Sequence, residues 1–342
     1  MRSRCSLFKP LIAGILSAGF LCFVCAGGAT AQDFKGEYRG EEISPEVEAM
    51  YLKGLAYLAK TQTEKGNWQD SNGTGPAVVG LVVLAMLAHG DDPNQGPWSI
   101  SVKKGLEFIL SSSFQLNGYM GPTMYHHGFA TLALAEAYGS VEDSRLGPAL
   151  RKSVDLILTS QANNSFGAWR YSPEARDADT TVSGAQMVAL FAARNAGLNV
   201  PDKAINSGLK FYRDSQGPDG GIGYTSMSDG GTIRTAIGCL MFELAHLKGE
   251  REFKSAFRYL QQKGDQSTEG SYHYYFLYYA AQAYFHGDLA LWNEWNARNV
   301  KTLKNTQNMD GSWTGSEGTT FCTAAALLSM AVGYRYLPIY ER

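Results

Sequence analysis

The sequence predicts an all-α protein, an α6/α6 toroid in which six helix pairs form two concentric rings. Three observations predict it. A glutamine–glycine–aromatic element recurs along the chain at Gln62, Gln115, Gln161, Gln216, Gln262 and Gln307, at separations of 45 to 55 residues. A helix with one apolar face precedes this element, and a helix apolar on nearly every side follows it. No stretch alternates apolar and polar residues for long enough to form a useful strand.

The first residues stand apart from that pattern. Arg2, Arg4 and Lys9 precede an uncharged apolar run from Leu11 to Cys25, and small residues follow, ending Ala29-Thr30-Ala31. A basic start, an apolar middle and an A-x-A site make residues 1–31 a secretory signal peptide. Residues 32–44 are an N-terminal leader, and residues 45–342 a single toroid domain. Cleavage removes three basic residues and no acidic one, moving the formal charge from −2 to −5. With 30 basic against 32 acidic residues the chain has no cationic excess for phosphates, so a nucleic-acid partner is not expected. No stable membrane span is expected after cleavage. Of five cysteines only Cys239 and Cys322 lie beyond the leader, both inside apolar helical runs, where they read as buried thiols.

Taken in order, the repeats share one grammar. In the first, Val47, Met50, Tyr51, Leu55 and Leu58 recur at the spacing of one buried helix face. Gln62-Thr-Glu-Lys-Gly66-Asn-Trp68 follows, and then the apolar run 77–88. The second repeat is degenerate, Gln115 leading to Gly118-Tyr119 and then to the run 128–137. The third keeps Gln161, Gly167 and Trp169 with two residues inserted, before the run 182–196. In the fourth, Ile205, Leu209 and Tyr212 follow Pro201, and Gln216 and Gly220 keep their spacing while Ile222 replaces the Trp, before 236–247. The fifth separates Gln262 from Gly270 and Tyr272, before 274–285. The sixth restores Gln307-Asn-Met-Asp-Gly311-Ser-Trp313, before 321–332. Glycine permits a tight turn, glutamine can bond unpaired helix-end groups, and tryptophan covers the joint. Closure into a ring is favoured over an open solenoid, because an open array leaves an apolar inner face in water.

The Q-x-x-x-G-x-W element between paired helices resembles the repeat of squalene cyclases and of protein prenyltransferase β-subunits, over residues 45–342. The resemblance implies that the inner helices' N-terminal ends open onto a central cavity, where related enzymes keep their chemistry. Asp177-Ala-Asp179-Thr180-Thr181 is similar to the D-x-D-D-T-A motif of squalene–hopene-type cyclases, in which the middle Asp protonates an alkene. The resemblance makes Asp179 the acid and Asp177 its neighbour. Thr180 stands where the motif has its last Asp, and Thr181 matches the Thr. Asp179 reads equally as a helix N-cap.

The same inner-helix starts carry other candidates. Tyr125-His126-His127 opens the second and Tyr272-His273-Tyr274-Tyr275 the fifth, combining proton-transfer groups with rings for stacking or cation–π contact. His126 and His273 are therefore candidate catalytic residues beside Asp177 and Asp179. Tyr125, His127, Thr180, Arg234, Tyr272 and Tyr275 are candidate ligand-binding residues. Arg234 lies among apolar neighbours and either clamps an anionic group or pairs with Asp177, Asp179 or Asp229. Prenyltransferase β-subunits hold zinc through an Asp-x-Cys and a later His, but Gly231 follows Asp229 where the thiolate belongs, so no metal or other cofactor is expected. The reading that follows is an exported toroid whose cavity takes a small apolar, isoprenoid-like ligand, with terpenoid cyclase-like isomerase chemistry if it is an enzyme. The alternatives are a non-catalytic toroid for a lipid, glycan or protein partner, and a secreted glycan hydrolase or lyase. The location is testable: amino-terminal mass analysis of exported protein should find Gln32 first, and recovery of the full-length chain from the cytoplasm would contradict it.

Overall fold

The computed structural model describes residues 43–70, 74–113, 117–264, 272–334 and 336–340. The signal segment, most of the leader, Gln115 and Gly270 lie outside the described residues. Among the described residues, twelve α-helices alternate between two rings. The outer set is α1 (Pro45–Thr61), α3 (Ser99–Ser113), α5 (Leu146–Ala162), α7 (Asp202–Asp214), α9 (Arg251–Lys263) and α11 (Leu289–Thr306). The inner set is α2 (Pro76–Ala88), α4 (Met124–Ala137), α6 (Thr180–Asn195), α8 (Thr232–Leu244), α10 (His273–Gly287) and α12 (Thr319–Ala331). Each inner helix packs against the next, and α12 packs back against α2, so the ring closes. The described residues contain isolated bridges but no strand, and no described helix is long and apolar enough to cross a membrane.

Burial separates the two rings as the periodicity requires. Every residue of α2 is buried. In α9 only Phe253, Ala256, Phe257 and Leu260 are buried, a single stripe at three-to-four spacing. The inner helices begin before the apolar runs seen in the sequence: α4 starts at Met124 and α8 at Thr232. Their first turns are therefore the polar and aromatic segments, and these gather at one end of the ring.

The repeated element is a three-part joint. The Gln62 side-chain amide donates to Gly66 O at 3.0 Å in its own turn and to Ser101 O at 3.1 Å in α3. Gln161 does the same to Gly167 O and Ala204 O of α7, and Gln216 to Gly220 O and Glu252 O of α9. Gln307 bonds Gly311 O at 3.0 Å and reaches Met50 O of α1 at 2.9 Å, joining the last repeat to the first. Each glutamine thus clamps its own turn to the start of the next outer helix. Gln262 is instead solvent-exposed within α9.

The other two parts explain the Gly and the Trp. Gly311 has φ +92°, and a Cβ there would lie 2.3 Å from Lys53 O of α1, so both backbone conformation and close approach demand glycine. The indole N–H of Trp68, Trp169 and Trp313 donates to Leu58 O, Ile157 O and Leu303 O, each at 2.9 Å. Those carbonyls belong to the last turns of α1, α5 and α11. The backbone N–H of Trp169 and Trp313 donates to Ser183 Oγ and Thr323 Oγ1 on the following inner helix. Ile222 replaces Trp in the fourth repeat but keeps that bond, to Thr235 Oγ1 at 2.9 Å.

Because the ring has no independent half, the protein should unfold in one transition. Trp313→Ala should cost roughly 3–5 kcal/mol for a fully buried indole. Gln307→Ala should cost roughly 1–3 kcal/mol by leaving carbonyls unsatisfied. Calorimetric melts check both, and two separable transitions would contradict closure.

Candidate functional site

All six inner-helix starts converge on a cavity of about 480 Å³. Ala77, Val78 and Leu81 of α2 and Ile233 of α8 supply an aliphatic wall. Tyr125 and Phe129 of α4, Tyr275 of α10 and Phe321 of α12 add rings, with Tyr171 and Tyr224 from the turns before α6 and α8. The polar contributors are His126, Thr181, Arg234, Tyr272 and Glu317. Such a chamber, largely apolar with few polar groups, is the usual form of a small-molecule site.

Asp179 stands behind this wall rather than on it. It is the N-cap of α6: Oδ1 accepts from Thr181 N at 2.9 Å, Val182 N at 2.8 Å and Thr181 Oγ1 at 2.7 Å. Oδ2 faces Arg170 Nε at 3.4 Å, and the side chain is fully buried. Burial pushes this carboxyl above its usual range, opposed by Val182 N–H, Thr181 O–H and Arg170. Since Oδ1 already accepts three hydrogens, an acidic proton would sit on Oδ2, on the Arg170 side. Asp177 is mostly exposed and also pairs with Arg170, at 3.2 Å. Arg170 is itself sandwiched between the rings of Tyr171 and Tyr224, 5.2 Å from each centroid.

Asp179 reaches the cavity through hydroxyls. Tyr125 O–H donates to Thr181 Oγ1, and Thr181 O–H donates to Asp179 Oδ1. Thr181, one residue beyond the expected Thr180, is thus the threonine on the wall. Thr180 is buried and structural, its Oγ1 donating to Gly223 O at 2.8 Å. Burial raises the Tyr125 and Tyr275 phenols far above their ordinary range.

The two histidine pairs divide. His126 lies on the wall, with Nδ1 3.0 Å from Thr123 Oγ1, and burial lowers its pKa. His127 is fully buried, accepting Met120 N–H at Nδ1 and donating from Nε2 to Ser153 O at 3.0 Å. It joins α4 to α5 and touches no cavity. His273 does not join His126: it lines a separate pocket of about 250 Å³ with Trp295 and Arg298 of α11. Tyr272 and Tyr275, from the same turn, do face the central cavity.

Arg234 lies on the wall, but its guanidinium is engaged. Nε donates to Ile222 O at 3.3 Å, Nη2 donates to Asp229 O, and Asp229 Oδ2 stands 3.7 Å away. Its partner is Asp229, while Arg170, which the sequence reading passed over, holds Asp177 and Asp179. Glu317 was also passed over. It is buried, accepts from Ser316 Oγ at 3.1 Å and Cys322 Sγ at 3.6 Å, and is the one carboxylate on the wall among the described residues. Among the described residues no group of three or more His, Cys, Asp or Glu stands close enough to hold a metal ion.

No family model matches the chain, and no curated protein sequence matches it. Solved structures do. A point variant of the type II terpene cyclase MstE from Scytonema, in complex with geranylgeranyl dihydroxybenzoate, is 16% identical with a TM-score of 0.58, covering 85% of this chain and 98% of its own. An inactive variant of the α-1,6-mannanase from a Salegentibacter species, in complex with α-1,6-mannotetrose, is 11% identical with a TM-score of 0.65, covering 86% of this chain and 100% of its own. A family 76 glycoside hydrolase from a bovine Bacteroides thetaiotaomicron strain is 10% identical with a TM-score of 0.62, covering 85% of this chain and 78% of its own. At such identities the likeness is one of fold, the α/α toroid.

His127 carries a pH prediction. Burial pulls its pKa down to about 4 from the ordinary 6.5. Its contribution is therefore present above pH 6.5 and lost as pH falls through 4, because the unfolded chain binds the proton first. The full swing is roughly 3 kcal/mol. Denaturant titrations at pH 7 and pH 4 should show this loss, and His127→Gln should flatten it.

Proposed function

We propose that the protein is an exported member of the squalene cyclase and prenyltransferase repeat group that holds an isoprenoid-like apolar chain in its central cavity. The observation that carries this reading is the cavity wall, where aliphatic side chains from α2 and α8 meet rings from α4, α10 and α12. Enclosing a hydrocarbon chain there removes apolar surface from water at about 25 cal/mol per Å². The repeat joint and the Asp177-Ala-Asp179 segment support the group assignment, and the terpene cyclase among the structural neighbours carries the same toroid.

Binding is favoured over acid-initiated cyclisation. Protonating an alkene requires an acidic proton pointing into the dry chamber. Here Asp179 Oδ1 is filled by three donors and Oδ2 turns toward Arg170. Thr181 and Tyr125 both donate toward Asp179, so the hydroxyl chain runs away from a ligand. Glycan cleavage is also disfavoured, since it ordinarily uses two carboxylates flanking the bond, and Glu317 stands on the wall alone among the described residues.

Calorimetric titration with squalene and shorter isoprenoids, beside mannotetraose, tests the proposal. Isoprenoid binding is expected, and Ile233→Trp, which narrows the cavity, should weaken it while leaving the melt nearly unchanged. Mass analysis of the incubated ligand should find no conversion. Turnover lost in Asp179→Asn would replace binding with cyclase chemistry, and saccharide binding without isoprenoid binding would replace the ligand class.

A further inference from the structure

The wall residues also bear on what the apolar ligand carries at its end. We infer that the cavity selects a chain ending in a hydrogen-bond-donating head, an alcohol or a protonated amine, and disfavours an anionic head. This inference rests on the proposed apolar ligand and adds to it the polarity of the head group.

Hydrogen accounting comes first. Asp179 Oδ1 accepts from two backbone N–H groups and from Thr181 Oγ1. Thr181 has a single hydroxyl hydrogen, and Asp179 takes it. The bond between Tyr125 and Thr181 must then use the Tyr125 hydrogen. Tyr125 Oη then has no hydrogen to offer, only lone pairs, and the Tyr275 hydroxyl approaches it as a neighbour on the same wall. A buried carboxylate thus fixes, two bonds away, the orientation of a wall hydroxyl.

Charge at the start of α12 gives the same answer. Glu317 places a carboxylate on the wall beside Phe321, held by donors from Ser316 and Cys322. A carboxylate oxygen accepts a hydrogen bond from a donor head, and it offers an anionic head no donor in return. Two wall residues could oppose this with positive charge. Arg234 keeps its charge, but Nε and Nη2 point to Ile222 O and Asp229 O, and the Asp229 carboxylate 3.7 Å from Nη2 offsets it. His126 is kept neutral at pH 7 by burial, which lowers its pKa. The surrounding rings of Tyr125, Phe129, Tyr275 and Phe321 present π faces, which favour a cation over an anion.

The test compares one chain with five ends: farnesene, farnesol, farnesylamine, farnesoic acid and farnesyl diphosphate, titrated into the folded protein at pH 7. Farnesol and farnesylamine should bind about tenfold or more tighter than the acid and the diphosphate, the scale of one hydrogen bond to a charged partner. Glu317→Gln should bring farnesylamine down toward the affinity of farnesene. Tyr125→Phe should weaken farnesol, and it leaves Thr181 still bonded to Asp179, so the cap of α6 survives. Equal affinity for all five would overturn the head-group inference and leave the apolar-chain reading standing. Tighter binding of the acid or diphosphate would overturn it and make Arg234 the ligand clamp. No binding by any of them would overturn the apolar-chain reading and this inference with it.

Discussion

The constraint on which the structure depends is the glutamine side chain that bonds two carbonyls at once. One belongs to the turn that follows its own outer helix, the other to the beginning of the next outer helix. A single amide thereby sets where each repeat begins relative to the last. Gln307 applies the same rule between residues at opposite ends of the domain, reaching Met50. Hydrophobic burial supplies the larger free energy but is indifferent to register. The amide, the glycine that lets it approach and the indole over the joint convert a stack of amphipathic helices into a ring of defined size.

Placing the joints at one level brings the six inner-helix starts to one end. A helix start has unpaired N–H groups and a partial positive charge, so each needs a cap and tolerates acceptors. Asp179 meets that need for α6, and burial against Arg170 holds it there. The chemistry offered to a ligand is then a consequence of architecture. The cap orients Thr181, and Thr181 orients the hydroxyl of Tyr125, a residue on the cavity wall. The same toroid occurs in a terpene cyclase and a mannanase among the structural neighbours, so the fold by itself does not fix an activity.

Helix phase accounts for which candidate residues reached the cavity. Successive residues on a helix turn by 100°, so neighbours in sequence point to different places. His126 faces the chamber while His127 turns to α5. Tyr275 faces the chamber while His273, two residues earlier in α10, turns toward α11. Tyr272, the N-cap with φ +72°, reaches the chamber through its left-handed backbone instead. The same phase puts Thr181 rather than Thr180 on the wall. A period count over the first turns could have separated these pairs, given one anchor known to face inward. Glu317, Tyr171 and Tyr224 had no such signal, because they lie in turns whose path is set by contacts far along the chain.

The sequence by itself determined the helix count, the pairing of half-exposed with buried helices and the closure of the ring. These depend on local periodicity and on a motif whose parts lie within seven to nine residues in its Trp-bearing copies. The candidate site at the inner-helix starts came from the resemblance to the squalene cyclase repeat, which implies a central cavity at that end. Only the tertiary structure decided which of those residues meet. Arg170 takes Asp177 and Asp179, Arg234 takes Asp229, and Glu317 stands on a wall opposite residues nearly two hundred positions away in the chain. The physical reason is that ion pairs and hydroxyl chains are settled by distances of a few ångströms, whereas the sequence signals resolve only which face of a helix a residue occupies.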